Sequence, residues 1–180
     1  MKKIFRIALI VLVILIAGFF GLRKYTKSFS PEDVAESQAS GLDVKVTYSQ
    51  PGKKGRHIFG REEDKALTPY GKVWRTGANE ATLIAFKEDV MFAGAPVKAG
   101  TYSLWTIPGQ AKWKVILNSE TGQWGTDYND GKNILTRDVN LRVSPKVREL
   151  FKIYFEQQAT GVNMILSWDQ IEAIVPIAKQ

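Results

Sequence analysis

The segment Phe151–Trp168, FKIYFEQQATGVNMILSW, decides the fold of this chain. Apolar residues occupy every second position on both sides of Thr160-Gly161. The alternating apolar residues are Phe151, Ile153, Phe155, Val162, Met164, Leu166 and Trp168. A period of two places these side chains on one face of a half-buried strand, and a Thr-Gly pair is typical of a turn. The segment therefore predicts two strands with a turn between them.

The same alternation returns along most of the chain after Gly41. It is present in Val44–Tyr48, Leu83–Lys87, Trp113–Leu117 and Val139–Val143. Turn-forming residues separate the runs at Gln50-Pro51-Gly52, Ala93-Gly94-Ala95-Pro96, Pro108-Gly109, Asn129-Asp130-Gly131 and Ser144-Pro145. No amphipathic helix of useful length follows Gly41, so about nine short strands predict an all-β fold. We expect an antiparallel two-sheet sandwich of the jelly-roll type over residues 42–180.

The segment Gly100–Gly109, GTYSLWTIPG, has apolar or aromatic residues at both odd and even positions. Such a pattern is typical of a strand that is covered on both faces. The segment therefore predicts a central strand, or a strand whose outer face lines a cleft.

The N-terminus contains an apolar run, Ile7–Leu22, with cations on both sides. Sixteen helical residues span about 24 Å, and counting from Ile4, with Arg6 reaching back to the headgroups, brings the length close to a hydrocarbon core of about 30 Å. A cleaved signal peptide is the alternative, but the run ends in Ala17-Gly18-Phe19-Phe20-Gly21, where cleavage would require small residues. We therefore favour a single transmembrane helix within residues 1–27, in contact with the lipid bilayer through residues 4–22.

The distribution of charge excludes a nucleic-acid partner. The formal net charge is +7, but six of the 25 cations lie in residues 1–27, and no acid precedes Glu32. The remaining cations and the 18 acids nearly balance, whereas a nucleic-acid surface needs clustered excess cations. Lys2 and Lys3 at the start are typical of a signal-anchor. We expect a single-pass inner-membrane protein whose C-terminal domain lies outside the cytoplasm, in the periplasm if the source is bacterial.

Residues 28–41, SFSPEDVAESQASG, are polar and are predicted to tether the anchor to the domain. Ser30 is a suitable N-cap, with Pro31 at the first helical position and Asp33 two residues later. The pattern predicts one helical turn within the tether.

The richest polar segment is Tyr70–Thr82, YGKVWRTGANEAT. Arg75 offers a planar fork of donors that suits a carboxylate or phosphate, and Asn79 both donates and accepts. Trp74 offers a stacking surface, Thr76 a hydroxyl, and Glu80 either a ligand group or a counter-ion. The alternative interpretation is a sheet corner in which Arg75 pairs with Glu80 and Trp74 fills the core.

Two further segments supply candidate site residues. Arg56 and His57 lie in KKGRHIFG, and His57 is the only histidine. Trp124 and Tyr128 lie in QWGTDYNDG, where aromatic residues beside amides and carboxylates are typical of a sugar-binding groove. The spacing of the oxygen ligands in the second segment matches no standard calcium loop. The chain has no cysteine, so we predict neither a metal nor a cofactor.

Five segments in this order resemble a bacterial exported family known as domain of unknown function 2911. They are SPEDVAESQASGLDVKVTYSQP, GKKGRHIFG, YGKVWRTGANEATLIAF, AGTYSLWTIPG and NSETGQWGTDY. The resemblance implies an exported all-β domain, brings no established reaction, cofactor or partner, and places its motif on Trp74–Asn79. This chain departs from the family pattern at Gln50, where the family usually has Arg, and in a longer loop, Arg61–Thr68.

The site residues predicted for ligand binding are therefore Arg56, His57, Trp74, Arg75, Thr76, Asn79, Glu80, Trp124 and Tyr128. Our leading hypothesis is a membrane-anchored envelope domain without catalytic activity that binds a small molecule, a glycan or a protein. The alternatives are an envelope hydrolase or isomerase that uses His57 or Glu80 as acid and base, and a purely structural envelope module.

Overall fold

A computed structural model describes residues 2–180, with side chains described for 3–7, 9–21, 25 and 27–180. One helix, α1 (Lys2–Ser28), precedes eleven strands and two short 3₁₀ turns. The strands are β1 (Glu32–Ser37), β2 (Val44–Ser49), β3 (Phe59–Gly60), β4 (Thr68–Pro69), β5 (Thr82–Phe86), β6 (Val90–Phe92), β7 (Ala95–Val97), β8 (Gly100–Ile107), β9 (Lys112–Asn118), β10 (Asn133–Gln158) and β11 (Gly161–Lys179). The 3₁₀ turns are Ala39–Gly41 and Asp130–Lys132.

The expectation of a mostly antiparallel β domain is confirmed. Nine strands form one antiparallel sheet in the order β1-β2-β5-β8-β9-β10-β11-β6-β7, and β3 pairs with β4 in a small parallel sheet. The sequence predicted two sheets, whereas the large sheet is hydrogen-bonded without a break. As predicted, β8 is central, and both of its faces are covered over Ser103–Thr106.

The long hairpin of β10 and β11 allows one continuous sheet to cover a core that two sheets were predicted to enclose. The first half of β10 pairs with β9 and with the second half of β11, and its second half pairs with the start of β11 and bridges Gly52 through Leu150. The register shifts between Val143 and Lys152, and Asp169 on β11 has a positive φ of 52°. Ser144-Pro145 is therefore a bend within β10 and not the predicted turn between two strands. The register shifts act as bulges, which bend a strand without ending it.

The bend lets the sheet curl until its distant parts meet. The Phe151 amide donates to the Pro51 carbonyl at 3.0 Å, and the Tyr48 hydroxyl accepts from the Ile153 amide at 2.9 Å. A Cβ on Gly161 at the start of β11 would lie 2.2 Å from the Ile177 carbonyl oxygen near its end. The two ends of β11 therefore cross in close contact, and the sheet encloses a single main core.

Five aromatic rings from separate parts of the chain meet in this core. They are Phe59, Trp74, Trp113, Phe151 and Trp168. Trp74 and Trp168 stack with ring centroids 5.7 Å apart and an interplanar angle of 21°. Aromatic side chains bury about 150–250 Å² each, so this aromatic cluster contributes much of the apolar burial that stabilises the fold.

The predicted tether contains a strand where we expected a helical turn. Glu32–Ser37 forms β1 and pairs with β2 along its whole length. Asp33, predicted near a helix start, accepts hydrogen bonds from the Tyr48 hydroxyl at 2.8 Å and from Lys152 Nζ at 3.1 Å. These contacts with residues far along the chain outweigh the local helix signal.

In the part of the chain that the structure describes, one helix is long and apolar enough to cross a bilayer. The segment is Lys3–Gly21, with mean hydropathy 2.7 and no burial against the domain. A signal sequence near the N-terminus would meet the same criterion. The helix is therefore compatible with a signal-anchor or a membrane span.

A buried carboxylate connects the two halves of the long hairpin. Glu172 accepts hydrogen bonds from Arg142 Nε at 2.8 Å, the Tyr154 hydroxyl at 3.0 Å and the Ser167 hydroxyl at 3.2 Å. Burial alone would raise the pKa of Glu172, but these donors outweigh it and hold the pKa below its ordinary value.

Gly161→Ala tests the close crossing of the two ends of β11. The added methyl would meet the Ile177 carbonyl oxygen at 2.2 Å, so we expect a loss of about 1–3 kcal/mol in the free energy of unfolding, as for other overpacked sites. Urea denaturation measures this loss. Thr160→Ala, in the exposed turn next to the buried Gly161, is the control, and equal losses for the two variants would contradict the crossing.

Glu172→Gln tests the buried carboxylate. Because the folded-state pKa is lowered, its stabilisation is present above the ordinary value and is lost as the pH falls through the folded-state pKa. We expect the wild-type chain to lose stability between about pH 5 and pH 3 more steeply than Glu172→Gln does. Denaturant titrations across this range measure both slopes. Parallel slopes would show that Glu172 has no lowered pKa.

Candidate functional site

A cavity of about 410 Å³ opens where α1 joins the domain. Its wall combines the residues just after α1, the turn after β2, the start of β4, the loop before β5 and one residue of β11. These residues are Phe29, Ser30, Pro51, Gly52, Lys54, Arg56, Leu67, Thr68, Trp74, Arg75, Gly77, Ala78, Asn79 and Trp168. A smaller cavity of about 150 Å³ shares Leu67, Thr68, Trp74 and Arg75 with it.

The stacked indoles of the aromatic cluster line this cavity. Trp74 and Trp168 belong both to the cluster and to the wall. The Trp74 indole N–H donates to the Gly77 carbonyl at 3.0 Å, and the Trp168 indole N–H donates to the Glu149 carbonyl at 3.2 Å. Both polar edges are therefore satisfied within the protein, and the rings, 8% and 1% exposed, form an apolar floor that belongs mainly to the core.

Arg75 lies half-buried in the wall without a carboxylate partner. Its Nη1 donates to the Asn79 carbonyl at 3.2 Å, and its side chain lies close against Gly125, where a Cβ would stand 2.2 Å from the Arg75 Cδ. Burial lowers the pKa of Arg75. Among the described residues, no carboxylate lies within ion-pair distance of this guanidinium. The one described hydrogen bond uses one of its five donors.

The loop from Thr76 to Asn79 has an unusual backbone. Thr76 and Asn79 have positive φ angles of 52° and 60°. A side chain at Gly77 would meet the Ser49 carbonyl oxygen at 2.9 Å, which explains the need for glycine there. In the described part of the chain, the amides of Gly77, Ala78 and Asn79 donate to no protein acceptor. Successive amides in such a loop are suited to anion binding.

The turn after β2 adds two more cations. Lys54 and Gly55 have positive φ angles of 49° and 71°, and the Arg56 amide donates to the Lys53 carbonyl at 3.0 Å. The Arg56 guanidinium donates hydrogen bonds to the carbonyls of Gly52 and Lys53 and so stabilises the turn. Lys54 Nζ lies 5.0 Å from the centre of the Phe29 ring, a cation–π distance.

The cavity wall is therefore positively charged. Lys54, Arg56 and Arg75 contribute cations, and the wall contains neither Asp nor Glu. Positive charge over an apolar floor favours an anionic group attached to a flat or apolar body.

Of the nine predicted site residues, the structure brings four to this cavity, namely Arg56, Trp74, Arg75 and Asn79. The other five do not line it. Thr76 is fully buried behind the wall and donates to the Thr106 hydroxyl at 3.1 Å. Glu80 pairs with Lys27 at 2.8 Å. The sequence offered an Arg75–Glu80 pair as one interpretation, but Glu80 pairs with Lys27, and Arg75 donates to the Asn79 carbonyl.

His57, Trp124 and Tyr128 lie elsewhere. The exposed His57 side chain packs against Gly60, where a Cβ would stand 2.2 Å from the histidine Nε2. Trp124 forms a β-bridge with Glu80. The Tyr128 ring packs on Trp105 with centroids 4.8 Å apart, and its hydroxyl accepts from Asn133 at 2.7 Å. The described residues contain no group of three or more acidic, His or Cys side chains placed to hold a metal ion.

Sequence reasoning missed Phe29, Lys54 and Trp168. Trp168 was predicted to be a core residue from its alternating pattern and is one, and its place beneath the cavity depends on the curl of the sheet. Lys54 is adjacent to the predicted Arg56, and the turn signal in KKGRH could have found it. Phe29 follows the apolar helix directly, and no local pattern distinguishes it from the anchor.

Arg75→Met tests whether this arginine supports the fold. The variant loses one hydrogen bond, which is worth about 1 kcal/mol. It also removes a desolvated charge that has no acidic partner among the described residues, which offsets part of this loss. We therefore expect the free energy of unfolding to stay within about 1 kcal/mol of the wild-type value. Urea denaturation measures it. A loss of several kcal/mol would support the structural interpretation of the loop.

Comparison with known proteins gives one match. The family model described as "Protein of unknown function (DUF2911)" matches residues 30–177. The comparisons with curated proteins and with solved structures found no match. The resemblance seen in the sequence is thus confirmed over most of the chain, which belongs to the DUF2911 family of proteins of unknown function.

Proposed function

We propose that this protein is a membrane-anchored binding protein of the bacterial envelope, with its β domain in the periplasm. The apolar span Lys3–Gly21 supports the anchor, and the cations at Lys2 and Lys3 support the orientation. We further propose that the curled sheet packs on itself as a two-layered sandwich.

The ligand of the proposed binding site is a small molecule that carries an anionic group and a flat or apolar part. One observation carries this proposal: the half-buried Arg75 has no carboxylate partner among the described residues and lies beside two indole rings. A charged group held in a partly desolvated wall gains most from an incoming opposite charge.

The remaining groups of the wall have complementary roles in this proposal. Arg75 binds the anionic group together with the amides of Gly77 to Asn79, and Lys54 and Arg56 add long-range attraction. Trp74 and Trp168, which are 8% and 1% exposed, form the apolar floor under the body of the ligand. A cavity of about 410 Å³ falls in the size range of small-molecule sites.

The acid–base alternative receives less support. His57 is exposed, packs on Gly60 and does not line the cavity, and Glu80 forms an ion pair with Lys27. A general acid or base must be within hydrogen-bonding reach of a bound substrate. Binding without chemistry is therefore the function that this cavity supports best.

Titration of the full chain in detergent with phenyl phosphate tests the proposal, because the indoles in the wall should report binding by a change in tryptophan fluorescence. We expect saturable binding that weakens with added salt and falls about tenfold or more in Arg75→Met, as for the loss of a charged hydrogen bond. The matched control is Arg137→Met, an exposed arginine whose hydrogen bond within the described residues goes to the adjacent Thr136 carbonyl.

Equal affinity in Arg75→Met and in the wild-type chain would contradict the proposed site. A fluorescence change without saturation would contradict it as well.

A further inference from the structure

We propose that the anionic group bound by this cavity is the phosphate of a membrane lipid headgroup. This inference rests on the proposed anion-binding function, and it adds the source of the ligand. The lipid would come from the same bilayer that α1 enters.

The position of the cavity along the chain supports this source. The apolar span ends at Gly21 and α1 ends at Ser28, and seven helical residues rise about 10 Å. The headgroup region on each side of a bilayer is roughly 5–8 Å thick. Phe29 and Ser30, which line the cavity, therefore begin at the outer edge of the headgroups.

Contacts between the end of α1 and the domain hold the cavity at this level. Asn79 Nδ2 donates to the Ser30 carbonyl at 3.4 Å, and the Gln50 amide donates to the Pro31 carbonyl at 2.8 Å. Lys27 pairs with Glu80 at 2.8 Å. The loop that carries Arg75 is therefore attached directly to the residues that leave the membrane.

The rim of the cavity has the composition of a membrane-facing surface. Phe29 and Leu67 line the cavity and are 50% and 42% exposed. Leu150, which is 43% exposed, lies next to Gly52 in the wall, where a Cβ would stand 3.5 Å from the Leu150 Cδ2. Exposed apolar side chains next to cations such as Lys54 are typical of segments that lie at a lipid interface.

The inner wall suits a phosphate diester. Its two free oxygens accept hydrogen bonds, and the wall contains donors in the planar Arg75 guanidinium and in the consecutive amides of Gly77 to Asn79. The glycerol and the first methylenes of the acyl chains would then lie toward Phe29 and Leu67.

The test uses the full chain in nanodiscs of phosphatidylcholine that contain phosphatidylglycerol. Native mass spectrometry after disruption of the nanodisc counts the lipid molecules retained by each chain. We expect one retained phosphatidylglycerol, reduced about tenfold in Arg75→Met and unchanged in Arg137→Met. A parallel titration of the detergent-solubilised chain with glycerol 3-phosphate measures binding of the same chemical group without acyl chains.

The outcomes separate the two proposals. Retention that is equal in the wild-type chain and Arg75→Met overturns the lipid proposal, because the retained lipid is then bound elsewhere. Binding of glycerol 3-phosphate that depends on Arg75, without retained lipid, overturns the lipid source and leaves the anion site intact. Failure of both ligands to show a dependence on Arg75 overturns the anion site as well.

Discussion

The stack of Trp74 on Trp168 is the contact on which the rest of this structure depends. Trp74 belongs to the loop before β5 and Trp168 to β11, and both indoles touch Phe151 on β10. The contact joins the loop to the bend of the long hairpin, where one sheet turns to cover its own core. The same two rings line the cavity of about 410 Å³ at the end of α1. The core and the proposed binding site therefore share one element.

This sharing explains why the polar groups of the site are unusual. Next to a rigid apolar floor, Arg75 loses solvent and gains only one described hydrogen bond, so its pKa is lowered. Asn79 has a positive φ, and its carbonyl accepts the hydrogen bond from the arginine. Strained backbone and incompletely paired charge cost stability, and proteins retain them mainly where they bind or react. The buried Glu172 shows the contrasting case, because three donors satisfy it.

The sequence was sufficient for those features that follow from local patterns. Alternation predicted the strands around Phe151 and Trp168, and the composition of one loop predicted Trp74, Arg75 and Asn79 as wall residues. Features set by distant contacts were not predictable. Asp33 joins a strand because of Tyr48 and Lys152, and Pro145 bends β10 without ending it because the partner strand continues. Proximity of Lys54 and Trp168, 114 positions apart in the sequence, depends on the curl of the sheet.

The most direct test of the account is a crystal structure of the full chain grown with tungstate, whose anomalous scattering locates the bound anion. We predict the strongest anomalous peak within hydrogen-bonding distance of the Arg75 guanidinium, above the stacked indoles. Arg75 paired with a protein carboxylate, or anomalous peaks found only at exposed lysines, would contradict the claim that this cavity is an anion-binding site.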